Sequence, residues 1–146
     1  MDYREYAIDL LGKRSQLLNA KVNLSEELDM LETEKYSAQH SAISDTTVAR
    51  DGGSRYEEHL VNVIALIDNT VYRKRMVDRQ LQMIYNGLAA LDDYERDIVE
   101  TFYIYKIKSP ADIIMKKYYK ERSQVYEDKR KALIKFTRGI YGIVHL

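Results

Sequence analysis

From residue 3 to residue 39 the apolar positions recur at helical intervals. Leu10, Leu17, Leu24, Leu28 and Leu31 follow one another at spacings of seven, seven, four and three, beside a second stripe of Ile8, Leu11, Leu18 and Val22. The segment contains no Pro and one Gly. This pattern predicts a long amphipathic helix with a coiled-coil-like seam. Glu26, Glu27, Asp29, Glu32 and Glu34 make its later half acidic. Residues 40–55 lose the period and are rich in Ser, Thr, Asp and Gly, which predicts a loop, with a tight turn or hinge at Asp51-Gly52-Gly53-Ser54. Residues 56–90 regain it, with Leu60, Ile64, Ile67 and Val71, then Leu81, Ile84, Leu88 and Leu91. Arg73-Lys74-Arg75 interrupts this stripe and reads as a solvated segment. Two helices of about 35 residues, each roughly 50 Å long, are expected to pair as an antiparallel α-hairpin that buries both seams. So narrow a pair buries little area, which favours dimerisation along it.

The remainder of the chain carries stronger start signals. Asp92 and Glu95 have capping-box spacing, and Ile98, Val99, Phe102 and Tyr103 follow on a core-facing helix. Ser109-Pro110-Ala111-Asp112 supplies a cap serine, Pro at the first helical position and an acid in the first turn. A short helix is expected to about Tyr118, then a turn over Tyr119 to Arg122. A last helix should run from near Ser123 to about Arg138 and end at Gly139 and Gly142. The expected fold class is all-α, with a helical hairpin over 1–90 and a three-helix helix-turn-helix domain over 91–146.

The overall formal charge of zero conceals a division. Residues 106–146 hold eleven Lys and Arg against four Asp and Glu, and residues 1–105 hold twelve against nineteen. A basic module joined to an acidic one points to a nucleic-acid footprint beside a part with another task. Stepping 100° per residue from an inward Val125 places Ala132, Leu133, Phe136 and Ile140 on the same side. Ser123, Gln124, Glu127, Arg130, Lys131, Ile134 and Arg138 fall opposite, where polar side chains could reach base edges and phosphates. Lys129 falls near the inward side, so its stem must snorkel past the first helix of the domain.

The runs L-D-D-Y-E-R-D-I-V, S-P-A-D-I-I and S-Q-V-Y-E-D-K-R-K-A-L-I-K-F resemble the sigma-factor region-four fold, and more closely the phage transcriptional regulators of the ArpU and RinA type. The matching positions are Glu95-Arg96, Ile113-Ile114, Val125-Tyr126 and Ala132-Leu133. The specific match covers residues 91–142, while over 1–90 the likeness is architectural. The resemblance implies a phage or prophage regulator of late or packaging-gene transcription that binds promoter DNA. The expected contacts to double-stranded DNA are Lys116, Lys117, Lys120, Arg122, Ser123, Gln124, Tyr126, Glu127, Arg130, Lys131 and Arg138. The acidic hairpin would supply a homodimer interface or a contact to RNA polymerase. The chain departs from the family at Met115, where a small residue is usual, at Tyr119, where the turn usually has Gly, and at Glu127, which replaces an often basic residue. Two alternatives share these features: a DNA-packaging subunit of the small-terminase type, and a protein-binding module that contacts the host polymerase.

Other chemistry finds little footing. The chain has no Cys, so disulfide frameworks and thiolate catalysis are excluded, and a bacterial cytoplasm is the expected compartment. His40, His59 and His145 have no metal-ligand spacing, and no cofactor or metal is expected. Asp92-Asp93 and Glu57-Glu58 read as helix-start acids favoured by the macrodipole. No catalytic constellation can be assembled, so an enzyme is not expected. The acidic ladder of a calcium loop is missing from 40–55. The start M-D-Y-R-E-Y is too charged for a secretory signal, and no apolar run approaches the roughly 20 residues that span a bilayer.

Overall fold

The computed structural model describes the backbone of residues 2–44 and 50–146, and the side chains of 2–41 and 55–146. The chain is all-helical, with no strand among the described residues. The elements are α1 (Tyr3–Gly12), α2 (Arg14–Ser44), α3 (Arg50–Ala89), α4 (Asp93–Val99) followed by a π-helical turn (Glu100–Ile104), α5 (Pro110–Tyr118) and α6 (Arg122–Tyr141). No helix is long and apolar enough to cross a membrane among the described residues.

Several boundaries differ from the periodicity. The first long helix is divided at Lys13, whose backbone N–H donates to the carbonyls of both Asp9 and Leu10. The predicted loop is mostly helix. α2 continues to Ser44 and α3 begins at Arg50, so Asp51–Ser54 lies within a helix rather than a turn. Residues 45–49 of that loop lie outside the described residues. Glu57 and Glu58 therefore sit inside α3, well past its start.

Packing divides the chain into two compact units, Asn19–Asp78 and the pair of segments Met1–Leu18 with Arg79–Leu146. This division does not coincide with the 90/91 boundary drawn from the sequence. α1 and the last turns of α3 pack with the C-terminal helices, because they supply the apolar cover for α6.

Within Asn19–Asp78, Leu24, Leu31 and Ala38 of α2 and Val63 and Ile67 of α3 are buried, with Leu28 and Val71 packed beside them. Val63 takes the inward place expected of Ile64, which is exposed. Ion pairs join Lys21 to Asp78 (3.6 Å) and Glu27 to Arg73 (2.9 Å), and His59 Nε2 lies 3.2 Å from Glu34 Oε1. Positions rise along α2 as they fall along α3, so the helices run antiparallel in this unit. The buried Thr70 hydroxyl lies 2.8 Å from the Leu66 carbonyl and 3.2 Å from Glu27 Oε1. Arg73 and Lys74 are both tied into this surface, the latter to Asp78 at 3.8 Å.

In the other unit, Ala7, Leu10 and Leu11 of α1 and Ile84 and Leu88 of α3 are buried with Ile98, Val99, Val125, Ala132, Leu133 and Phe136. The expected capping box opens α4: the Asp92 carboxylate accepts from the Glu95 N–H (2.8 Å) and Glu95 Oε1 from the Asp92 N–H (3.1 Å). Ile98, Ala111, Ile114 and Val125 form one core cluster that joins α4, α5 and α6. The Tyr3 and Tyr141 rings meet at 5.3 Å. α3 approaches α6 through glycine. A Cβ on Gly139 would lie 3.7 Å from Gly87 Cα and 3.8 Å from Ala90 Cβ. Gly139 thus lies inside α6 rather than ending it, and Gly142, at φ 83°, caps the helix.

Two residues at the ends of α5 are in the left-handed region. Ser109 (φ 53°) stands before Pro110 as expected, but its side chain makes no capping bond, because the left-handed backbone directs it elsewhere. Tyr119 (φ 53°) caps the far end and its side chain is 95% exposed. A non-glycine residue held in this conformation costs on the order of 1–2 kcal/mol, and an exposed ring returns almost nothing by packing. Tyr119→Gly is therefore expected to raise stability by about 1 kcal/mol, offset partly by the entropy of an added glycine. A thermal melt that shows no rise in midpoint would refute this.

Candidate nucleic-acid interface

α6 is placed by its buried stripe. Val125, Ala132 and Phe136 are completely enclosed, and Leu133 nearly so, with Ile140 half-buried beside them. This is the side read as inward from the 100° step. Ser123, Gln124, Arg130, Lys131 and Arg138 are exposed and Glu127 half-exposed on the opposite side, so these six share one face. α5 lies against the first half of α6 through Ala111, Ile114 and Val125, and Tyr119, Lys120 and Glu121 connect the two helices. The exposed Lys116, Lys117 and Lys120 and the first α6 residue, Arg122, flank that connection.

Most of these cations are already engaged. Lys117 Nζ lies 2.6 Å from Asp97 Oδ2, and Arg122 lies 2.6 Å from Asp112 Oδ1. Lys120 is 3.6 Å from Asp128. Arg130 forms two hydrogen bonds to Glu127, at 2.7 and 3.2 Å, and Lys131 stands 4.0 Å from the same carboxylate. Lys116 and Arg138 make no ion pair with another described residue. The face is thus a lattice of charge pairs rather than a bare positive patch. At Lys117, Lys120, Arg122, Arg130 and Lys131 a phosphate must compete with a carboxylate, which weakens indiscriminate attraction.

Asp128 and Asp97 are the hubs that the sequence did not reveal. Asp128 accepts from the Tyr94 hydroxyl (2.7 Å) and the Gln124 side-chain amide (2.8 Å). Burial opposes ionisation of Asp128, but the bonds from Tyr94 and Gln124 and the Lys120 charge outweigh it and hold its carboxyl below the ordinary range. At Asp97 burial likewise opposes, and hydrogen bonds from Lys117 and the Tyr118 hydroxyl, the latter 2.6 Å long, prevail. Tyr94 is pushed above its usual range by burial and by Asp128. The Gln124–Asp128 spacing of four could have signalled its pairing. Nothing local signals Asp97 with Lys117, since the two lie on different helices.

Tyr126 does not join the polar face. Its ring meets Phe102 edge-on at 6.1 Å, because its position on α6 turns it toward the π-helical turn. Lys129 snorkels as expected, and its ammonium ends 4.9 Å from the Phe102 ring, 5.5 Å from Tyr103 and 5.4 Å from Tyr126. The π turn presents Phe102 and Tyr103 to this ammonium, and burial pushes the Tyr103 phenol up to about 12. Tyr118 packs on Tyr94, with ring centroids 4.6 Å apart, whereas Tyr119 packs on nothing. Among the described residues no group of three or more His, Asp or Glu side chains is placed to hold a metal ion. A cleft lined by Glu5, Asp9, Lys13, Gln16, Phe102 and Lys106 shares no residue with the α6 face.

No family model, curated protein or solved structure matches this chain.

Proposed function

We propose that the chain is a DNA-binding transcriptional regulator in which α5, its three-residue connection and α6 act as a helix-turn-helix, with α6 entering the major groove. The observation that carries this reading is the division of α6: an enclosed apolar stripe on one side, and Ser123, Gln124, Glu127, Arg130, Lys131 and Arg138 together on the other. The resemblance to ArpU- and RinA-type regulators supports a phage or prophage protein that acts on late or packaging genes in the cytoplasm of a bacterial host. In this reading the finer fold is a helical hairpin over Asn19–Asp78 and a sigma-region-four-like domain built on α4, α5 and α6. Val22, Met30, Val61, Leu66 and Tyr72 are exposed on the hairpin, which supports its use as a homodimer interface or a contact for RNA polymerase.

The test is binding of the full chain to duplex DNA across a salt titration. We expect a shift that weakens with salt. The Arg130→Ala, Lys131→Ala double variant should weaken it about tenfold. Absence of binding at low salt, or indifference to the double substitution, defeats the proposal. A second reading, a protein-binding module, is favoured by the ion pairing of Lys117, Lys120, Arg122, Arg130 and Lys131. Capture of RNA polymerase by a chain without DNA affinity would select it.

A further inference from the structure

Glu127 stands in the middle of the exposed α6 face, where its carboxylate would oppose any phosphate brought near it. It holds Arg130 by two hydrogen bonds and stands 4.0 Å from Lys131. Both cations lie within four residues of it on one helix, so the three side chains approach DNA as a unit. Arg130 is the first cause of Glu127's carboxyl lying below the usual carboxylate range, so the pair is charged at neutral pH.

A carboxylate in the major groove can only accept hydrogen bonds. Its partners there are amino groups, and it is repelled by guanine O6 and N7 and by thymine O4. Arg has the opposite preference and matches guanine O6 and N7 with two parallel donors. Glu127 and Arg130 are therefore complementary to the two halves of one kind of base pair.

We propose that Glu127 is a specificity filter that occupies Arg130 and Lys131 until its own carboxylate meets a cytosine amino group, so that the pair reads cytosine with guanine as a coupled element. This rests on the DNA-binding reading above. Away from such a base pair, a phosphate gains Arg130 and Lys131 only by displacing Glu127 and leaving its charge unmatched. At a matching pair, Glu127 accepts from the cytosine amine while Arg130 is passed to guanine. The repulsive element thus produces discrimination that the cations alone would not.

The experiment compares the full-length wild type with Glu127→Gln, which keeps the length and removes the charge. Two probes are used: a 30-base-pair duplex of arbitrary sequence, and a duplex enriched from a random library by the wild-type chain. Far-UV circular dichroism checks that the exposed substitution leaves the helices intact. Glu127→Gln should bind the arbitrary duplex about tenfold more tightly, with a salt slope steeper by about 1 to 2 as the freed cations meet phosphates. Its preference for the enriched duplex should fall by about tenfold or more, and reselection should lose a cytosine–guanine requirement at one position. An equal rise on both duplexes, or no rise on either, overturns the filter and leaves DNA binding standing. A wild type that binds neither duplex at low salt brings down the DNA-binding reading, and the filter with it.

Discussion

A fragment of residues 91–146 is expected to fail to fold as a stable domain, although the sequence marks it as a self-contained DNA-binding module. The reason is the apolar cover of α6. Leu10 and Leu11 of α1, and Ile84 and Leu88 of α3, are buried in the unit that contains α6, and all four lie outside the fragment. Burial of side chains of this size is worth about 1.5–3 kcal/mol each, so their loss removes on the order of 6–12 kcal/mol. That equals the whole stability of a typical domain, about 5–15 kcal/mol. The fragment also uncovers Phe136 where Gly87 now lies against it. Thermal and urea melts followed by circular dichroism should show no cooperative transition for 91–146 under conditions where the full chain gives one. A fragment that melts cooperatively near the midpoint of the full chain would show that the cover is dispensable.

Gly87→Ala should destabilise the protein by about 2 kcal/mol, within the 1–3 kcal/mol typical of overpacking. Two effects compete at this position. Ala is the better helix former by about 1 kcal/mol, and α3 is helical here, so propensity alone predicts a gain. Against it, the new Cβ would lie 2.5 Å from Phe136 Cε2, 2.8 Å from Cδ2 and 3.1 Å from Ile140 Cγ1. Phe136 is fully enclosed and cannot swing aside, so the steric term wins. A urea midpoint moved upward would mean that α3 and α6 separate without cost. The same substitution placed on Phe136→Leu should cost less than on the wild type, by about 1 kcal/mol, because the contact is then relieved. Additivity of the two changes would deny that they meet.

Much of the candidate interface was legible before the fold. The polar and apolar sides of α6 follow from where Val125, Ala132, Leu133 and Phe136 recur, and the structure encloses those four. The Asp92–Glu95 capping box is a three-residue relation and was readable as such. The snorkelling of Lys129 followed from its angle on the helix, but its three aromatic neighbours did not. The Ser109 cap failed because residue type does not specify backbone conformation, and a left-handed φ removed the side-chain bond. The loop over 40–55 was overdrawn for a related reason. Ser, Thr, Asp and Gly lower helix propensity only by fractions of a kcal/mol to about 1 kcal/mol each, which neighbouring helix can override.

Local spacing along the chain settles the relations that close within one helical turn: which residues line each helix, where α4, α5 and α6 begin, and which face of α6 stays polar. Spacings of three and four residues decide these, and the chain cannot avoid them once it is helical. Packing between distant segments settles that α1 and the end of α3 cover α6, that Gly87 must lack a side chain, and that Asp97 and Glu95 take Lys117 and Lys135 as partners. Those outcomes depend on residues distant in the chain meeting at van der Waals or hydrogen-bond range. No local periodicity encodes such meetings, because they arise from how whole helices pack.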